Sequence, residues 1–172
     1  MPTRRMFAAG AAAVALVGVG VGVYVFTRPK PPPIPAVCHL GTEGRPDPVC
    51  TPGATNPAVT QATIGTTICV SGWTATVRPP ASYTNALKVR QIKAYGFADT
   101  KTADFEEDHL VPLELAGSPK DPRNLWPELR AAAGGRAETK DAEENDLKRK
   151  VCSGALTLAQ AQQQILTDWG PR

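Results

Sequence analysis

The sequence has few of the features by which nucleic-acid-binding and zinc-binding proteins are most easily recognised. Aromatic residues make up 6% of the 172 residues, and no long run of lysine and arginine is present. Charge-driven binding to a duplex depends on clustered Lys and Arg that neutralise phosphates, so charge alone does not predict it here. The four cysteines include no C-x-x-C pair, and their spacing therefore argues against a zinc site.

The formal net charge of +3 arises at the start of the chain. Four of the nineteen basic residues precede residue 31, where no acidic residue occurs: Arg4, Arg5, Arg28 and Lys30. The remaining fifteen basic residues stand against sixteen acidic ones, so the rest of the chain is close to neutral, at −1. Its length suffices for one compact domain with a modest core.

An uncharged apolar segment of 21 residues runs from Met6 to Phe26. At about 1.5 Å per helical residue, its length matches the hydrocarbon core of a bilayer. Because a basic start before an apolar stretch is also the layout of a cleaved secretory signal, residues 1–27 are either a signal anchor or a signal peptide. Residues 3–7, TRRMF, resemble the twin-arginine export signature. We therefore expect an exported protein, with its domain outside the cytoplasm at the cell membrane or secreted after cleavage.

Residues 28–37 are rich in proline and predict a stiff linker, which leaves residues 38–172 as the exported domain. This domain contains all four cysteines, Cys38, Cys50, Cys69 and Cys152. An even count behind an export signal indicates two disulfides. Of the three connectivities, the most economical pairs Cys38 with Cys50 and Cys69 with Cys152. The longer loop would then add about 4 kcal/mol of stability by restricting the unfolded chain.

Periodicity and turn residues predict an α+β fold, a small domain stapled by disulfides. A β-branched run at residues 66–70 predicts one short strand, and residues 82–95 predict a helix that Gly96 ends. Residues 137–151 are strong helix formers. A capping box at residues 157–160 starts a last helix, in which four apolar residues share one face: Leu158, Ala161, Ile165 and Trp169.

The densest group of chemically versatile residues runs from Phe105 to Glu128, FEEDHLVPLELAGSPKDPRNLWPE. An Asp-His pair enters an apolar strand, a Gly-Ser-Pro turn follows, and an asparagine precedes Leu-Trp. This pattern resembles the motif of HNH-type nucleases, and its flanks resemble those of exported actinobacterial proteins of this kind. The resemblance covers residues 41–169. It implies a ββα-metal unit, in which two antiparallel strands and a helix hold one divalent metal ion, and we expect that ion to be Mg²⁺.

The residues of the motif fit the chemistry of phosphodiester hydrolysis. His109 carries an imidazole whose ordinary pKa of about 6.5 suits the abstraction of a proton from water, so it is the candidate general base. Asp108 offers a hard anionic oxygen to Mg²⁺ and is the first candidate metal ligand. The resemblance implies that Asn124 holds the catalytic imidazole in orientation.

The helix at residues 137–151 departs from the family's pattern, because no third histidine stands at its start. The acidic and amide residues that can substitute for it are Glu138, Asp141, Glu144 and Asn145. Side chains three or four positions apart share a helix face, so two of these could converge on an ion held by Asp108. The predicted metal ligands are therefore Asp108, Asp141 and Glu144, with Asp141 ranked before Glu144.

Two functions of different classes follow from this pattern. The first is an extracytoplasmic, metal-dependent HNH endonuclease with nucleic acid as substrate. The second is an inactive HNH-like scaffold that serves as a binding or structural module of the envelope, because a fold alone does not guarantee activity. A structural Ca²⁺ held by Asp108 and Asp141 is a further alternative. We expect contact with the membrane through the N-terminal segment and predict no protein partner.

Overall fold

The computed structural model describes Pro33 and residues 35–130 and 137–167. The chain divides into two units, Met1–Lys30 and Pro31–Arg172, and every described residue belongs to the second. The described helices, strands and disulfides therefore all lie within the second unit.

Three expectations fall on residues that the structure does not describe. The predicted leader at residues 1–27 and most of the predicted linker lie outside the described residues, as does Trp169. Within the described residues, no helix combines the length and the apolar character needed to cross a bilayer.

The described residues form an α+β domain, as the sequence predicts. Its sheet has two antiparallel strands, β1 (Phe105–His109) and β2 (Leu125–Leu129). The described α-helices are α1 (Trp73–Val77), α2 (Ala81–Ala94), α3 (Ala137–Cys152) and α4 (Leu158–Thr167). Helices α2, α3 and α4 lie where the sequence predicts helices, and β1 and β2 bracket the Gly-Ser-Pro turn of the motif.

The ends of α2 and α4 follow from local residue chemistry. Gly96 adopts a left-handed conformation, with φ of 66°, directly after the last turn of α2. At the start of α4, the Thr157 amide donates to Gln160 Oε1 at 2.8 Å and the Gln160 amide donates to Thr157 Oγ1 at 3.2 Å. This reciprocal pair is a capping box, and it confirms the predicted start of the helix.

The two disulfides join the cysteines in the pairing that the sequence favours. Cys38 is bonded to Cys50, twelve residues later, and Cys69 is bonded to Cys152, 83 residues later. The second bond ties the end of α3 to the segment that precedes α1. Closing a loop of that length lowers the entropy of the unfolded chain, which stabilises the folded state by about 4 kcal/mol.

The prediction of a strand at residues 66–70 is wrong. A 3-10 turn at Ile64–Thr66 and further turns occupy this segment instead. The carbonyl of Thr63 accepts hydrogen bonds from the hydroxyls of Thr66 at 3.1 Å and Thr67 at 2.7 Å. Threonine side chains can satisfy backbone groups in this way, so a β-branched run without a neighbouring strand folds as turns.

The sheet is short, and its pairing decides which side chains meet. Glu106 lies opposite Glu128, and Asp108 lies opposite Trp126. Because successive residues of a strand point to opposite faces, Glu106 and Asp108 share one face with Glu128, and Glu107 lies on the other. Helix α2 contacts both strands. We call the side of Glu106, Asp108 and Glu128 the acidic face.

Candidate active site

A cleft of about 310 Å³ opens at the end of β1. Its walls come from the strand, from the Pro112–Leu113 turn, from the first turns of α3 and from the end of α1. The residues that line it are Arg78, Glu106, Glu107, Asp108, His109, Pro112, Leu113, Asp141 and Glu144. The structure thus brings Asp108 and His109, and both predicted ligands of α3, to one cleft.

His109 is buried, with 5% of its surface exposed, and its ring is held by one hydrogen bond. Nε2 lies 3.1 Å from the carbonyl oxygen of Pro119. A carbonyl only accepts, so we assign the proton of the neutral ring to Nε2, which leaves the lone pair on Nδ1. No described residue forms a hydrogen bond with Nδ1. Burial lowers the pKa of His109, so the ring is neutral at physiological pH and can act as a base.

Asn124 is fully buried and braces the loop between the two strands. Its Oδ1 accepts from the Val111 amide at 2.9 Å, and its Nδ2 donates to the carbonyls of Val111 at 2.9 Å and Ser118 at 3.1 Å. Its amide does not reach the ring of His109. It fixes the loop in which Ser118 precedes Pro119, the residue that accepts from the ring, so any effect on the imidazole is indirect.

Gly117 makes this tight loop sterically feasible. A Cβ atom at this position would lie 1.7 Å from the carbonyl oxygen of Val111 and 2.7 Å from Nδ2 of Asn124. Both distances are far inside van der Waals contact, so only glycine allows the amide of Asn124 to bridge the loop. The Gly-Ser-Pro turn of the sequence motif therefore has a structural cause.

The three carboxylates of the acidic face lie close to one another. One oxygen each of Glu106, Asp108 and Glu128 lies within 4.8 Å of the other two. Neither oxygen of Glu128 accepts a hydrogen bond from a described residue, although both are buried. Burial and, to a smaller extent, the charge of Asp108 raise the pKa of Glu128 to about 10. The pKa of Glu106 is raised by the same two causes.

Sequence reasoning missed Glu106 and Glu128 as site residues. Glu106 could have been found, because it lies two positions before Asp108 and a strand places such residues on one face. Glu128 could not, because its position opposite Glu106 depends on the register of the hairpin, which the length of the intervening loop does not fix.

Lys140 of α3 is the buried cation of this site. Its side chain is 1% exposed, and Nζ lies 2.6 Å from Oδ2 of Asp108 and forms a second ion pair with Glu144. Nζ also donates to the carbonyl oxygen of His109 at 2.9 Å. Burial acts to lower the pKa of Lys140, but the charges of Asp108 and Glu144 outweigh it and raise the pKa above its ordinary value. The ammonium therefore stays charged.

The residues of α3 that the sequence offers as metal ligands stand apart from the carboxylate cluster. Glu144 is paired with Lys140, and burial raises its pKa to about 8. Asp141 is exposed at the rim of the cleft. Asn145 donates from Nδ2 to the carbonyl of Asp141 at 2.8 Å, within the helix, and Glu138 is exposed. What α3 places closest to Asp108 is thus an ammonium group.

Comparison of this chain with models of protein families, with curated proteins and with solved structures gives no match in any of the three.

Proposed function

We propose that this protein is an exported, metal-dependent phosphodiester hydrolase of the HNH type that acts on nucleic acid. The observation that carries the proposal is the meeting, in one cleft, of a neutral histidine with Glu106 and Asp108, two of the three clustered carboxylates. A histidine suits the activation of water, and carboxylate oxygens suit a hard divalent cation. The order of β1, β2 and α3 along the chain agrees with the ββα unit of an HNH-type hydrolase.

The residues of the cluster fit a divalent ion such as Mg²⁺. All three offer hard oxygen atoms, and both oxygens of Glu128 are buried without a hydrogen-bond donor among the described residues. A bound cation would offset the burial and the repulsion by Asp108 that raise the pKa values of Glu106 and Glu128. It would also neutralise charge that builds on a phosphate during hydrolysis. We therefore assign Glu106, Asp108 and Glu128 as ligands, with Asp141 at the rim as a further oxygen donor.

The roles of the protein's own groups follow from the geometry. Nδ1 of His109 takes a proton from the attacking water, while the Pro119 carbonyl keeps its hydrogen bond to the Nε2 proton. Lys140 holds Asp108 in place and joins α3 to the backbone of β1. Asn124 and Gly117 fix the loop that presents Pro119. The site is thus held by groups that do not themselves react.

The two disulfides support the proposed location outside the cytoplasm, because such bonds persist in oxidising compartments. We propose that residues 1–27 direct this export, as an anchor in the cell membrane or as a cleaved signal. We propose nucleic acid as the substrate of this protein and propose no protein partner for it.

Cleavage assays with the purified, oxidised chain test this function directly. Plasmid DNA and a folded RNA are incubated with Mg²⁺, with Mn²⁺ or with EDTA. We expect cleavage that needs the metal and that His109→Ala slows by about 10²–10⁴-fold. The chain offers a matched control in its second histidine, because His39 is exposed and does not line the cleft, and His39→Ala should retain the wild-type rate. Equal rates for all three proteins would refute the proposal.

A second candidate function is an inactive module of the envelope that keeps the HNH-like scaffold. The near-neutral charge of the exported part and the ammonium of Lys140, which already neutralises part of the acidic face, favour it. The structural Ca²⁺ alternative belongs here, since a bound ion would then support the fold alone. Metal binding by calorimetry, together with no cleavage of either substrate, would select this function.

A further inference from the structure

Arg78 lines the cleft but belongs to none of the groups described so far. It also lines a second, smaller hollow of about 200 Å³, which shares Pro112, Leu113 and Glu144 with the cleft. The other residues that line this hollow are Thr74, Glu114 and Asn145. Arg78 therefore stands where the two cavities meet.

The backbone of Arg78 is fixed between two helices. Its amide donates to the carbonyl of Thr74 at 3.0 Å, at the end of α1. The residue before a proline is restricted to extended conformations, and Arg78 has φ of −57° and ψ of 130° before Pro79. Pro79 is buried, and α2 begins two residues after it. The side chain of Arg78 is exposed on this rigid base.

Arg78 brings a positive charge to the cleft. It is the one cation among the residues that line the cleft, together with five carboxylates. Within the described part of the chain, no residue forms an ion pair or a side-chain hydrogen bond with its guanidinium. A guanidinium so placed is available to an anion that approaches the histidine.

We propose that Arg78 binds a phosphate group of the substrate, next to the scissile phosphodiester, and thereby positions the strand across the cleft. The inference rests on the proposed function. The chemistry supports a phosphate as ligand, because the planar guanidinium donates two parallel hydrogen bonds to its oxygens. The hollow beyond Arg78 gives the neighbouring nucleotide a place to lie. In an otherwise near-neutral domain, one such contact contributes a large share of the phosphate binding.

Binding can be measured apart from cleavage. In the His109→Ala background, a fluorescently labelled oligonucleotide is titrated with the oxidised chain in Mg²⁺ at several salt concentrations, and its anisotropy is recorded. We expect Arg78→Ala to weaken binding by about tenfold and to reduce the salt slope by about one phosphate contact. Arg78→Lys should keep the salt slope and lose part of the affinity, since Lys cannot bind in the bidentate way.

A matched control is Arg149→Ala, because Arg149 is exposed in the last turn of α3, paired with Asp146 and outside both cavities. It should bind like the parent protein. Circular dichroism verifies that each variant is folded.

The outcomes separate this inference from the proposed function. Unchanged affinity and salt slope in Arg78→Ala would overturn the role of Arg78, even if the wild type cleaves its substrate. Weaker binding in Arg78→Ala, with a wild type that cleaves nothing, would support the phosphate contact and refute the hydrolase. Displacement of the oligonucleotide by inorganic phosphate at equal concentration would show a site for free phosphate and overturn the assignment to a nucleic-acid strand.

Discussion

Both faces of the short sheet carry acidic side chains, but the groups that surround these side chains differ. On the acidic face, Glu106, Asp108 and Glu128 lie close together, and Asp108 is paired with the buried ammonium of Lys140. The other face carries Glu107 and, two positions later, His109, and no described residue donates a hydrogen bond to either oxygen of Glu107. Burial raises the pKa of Glu107 to about 9, although the charge of Lys88 opposes the shift. Asp108 is thus paired with a built-in cation, whereas Glu128 and Glu107 accept no hydrogen bond from a described residue, and burial raises the pKa of each.

Removal of the built-in cation should have the largest effect on stability. Lys140→Met leaves Asp108 and Glu144 buried without their partner, and we expect the free energy of unfolding in urea to fall by about 3–5 kcal/mol. The control is Lys150→Met at the other end of the same helix, where a half-exposed pair with Asp146 contributes about 0–1 kcal/mol. Equal losses in the two variants would mean that the acidic face does not depend on Lys140.

The carboxylate of Glu107 should make stability depend on pH. The folded state keeps the proton of Glu107 up to a pH of about 9, whereas the unfolded chain loses it near 4.5. The folded state therefore binds the extra proton between these values, and the free energy of unfolding falls as pH rises through this window. Glu107→Gln mimics the neutral form, so it should stabilise the protein by about 3 kcal/mol at pH 7.

At pH 4, the free energy of unfolding of Glu107→Gln should differ little from that of the wild type, because Glu107 is then mostly protonated in both the folded and the unfolded state. Chemical unfolding at a series of pH values measures both. A constant difference across the series would show that hydrogen bonding, and not ionisation, sets the effect.

A divalent ion should distinguish the two faces with a smaller effect. At a hundredfold excess over its Kd, Mg²⁺ or Mn²⁺ is expected to add about 2.7 kcal/mol to the stability of the wild type. Glu128→Gln removes one ligand of the acidic face and should abolish most of this gain, whereas Glu107→Gln on the other face should retain it. Thermal unfolding with and without the ion gives the measurement. Identical gains in both variants would place the ion elsewhere.

Much of the fold and part of the site follow from the sequence, for reasons that particular residues show. The strand that carries Asp108 and His109, the helix α3 and the cysteine pairs depend on local pattern or on chain economy, and these were predictable. Lys140 was not, because a lysine in a highly charged helix is normally expected in solvent. Its burial depends on the carboxylates of a distant strand, and only the folded chain shows that they meet.

The longer disulfide has a consequence for the integrity of the whole site. Arg78, the acidic face, His109, Asn124 and Lys140 all fall between Cys69 and Cys152, so they belong to one covalent macrocycle. A protease that cuts a single peptide bond inside this ring opens it without releasing a fragment, and every site residue stays attached to the rest. Two cuts, or one cut and a reductant, are needed to detach any part of it.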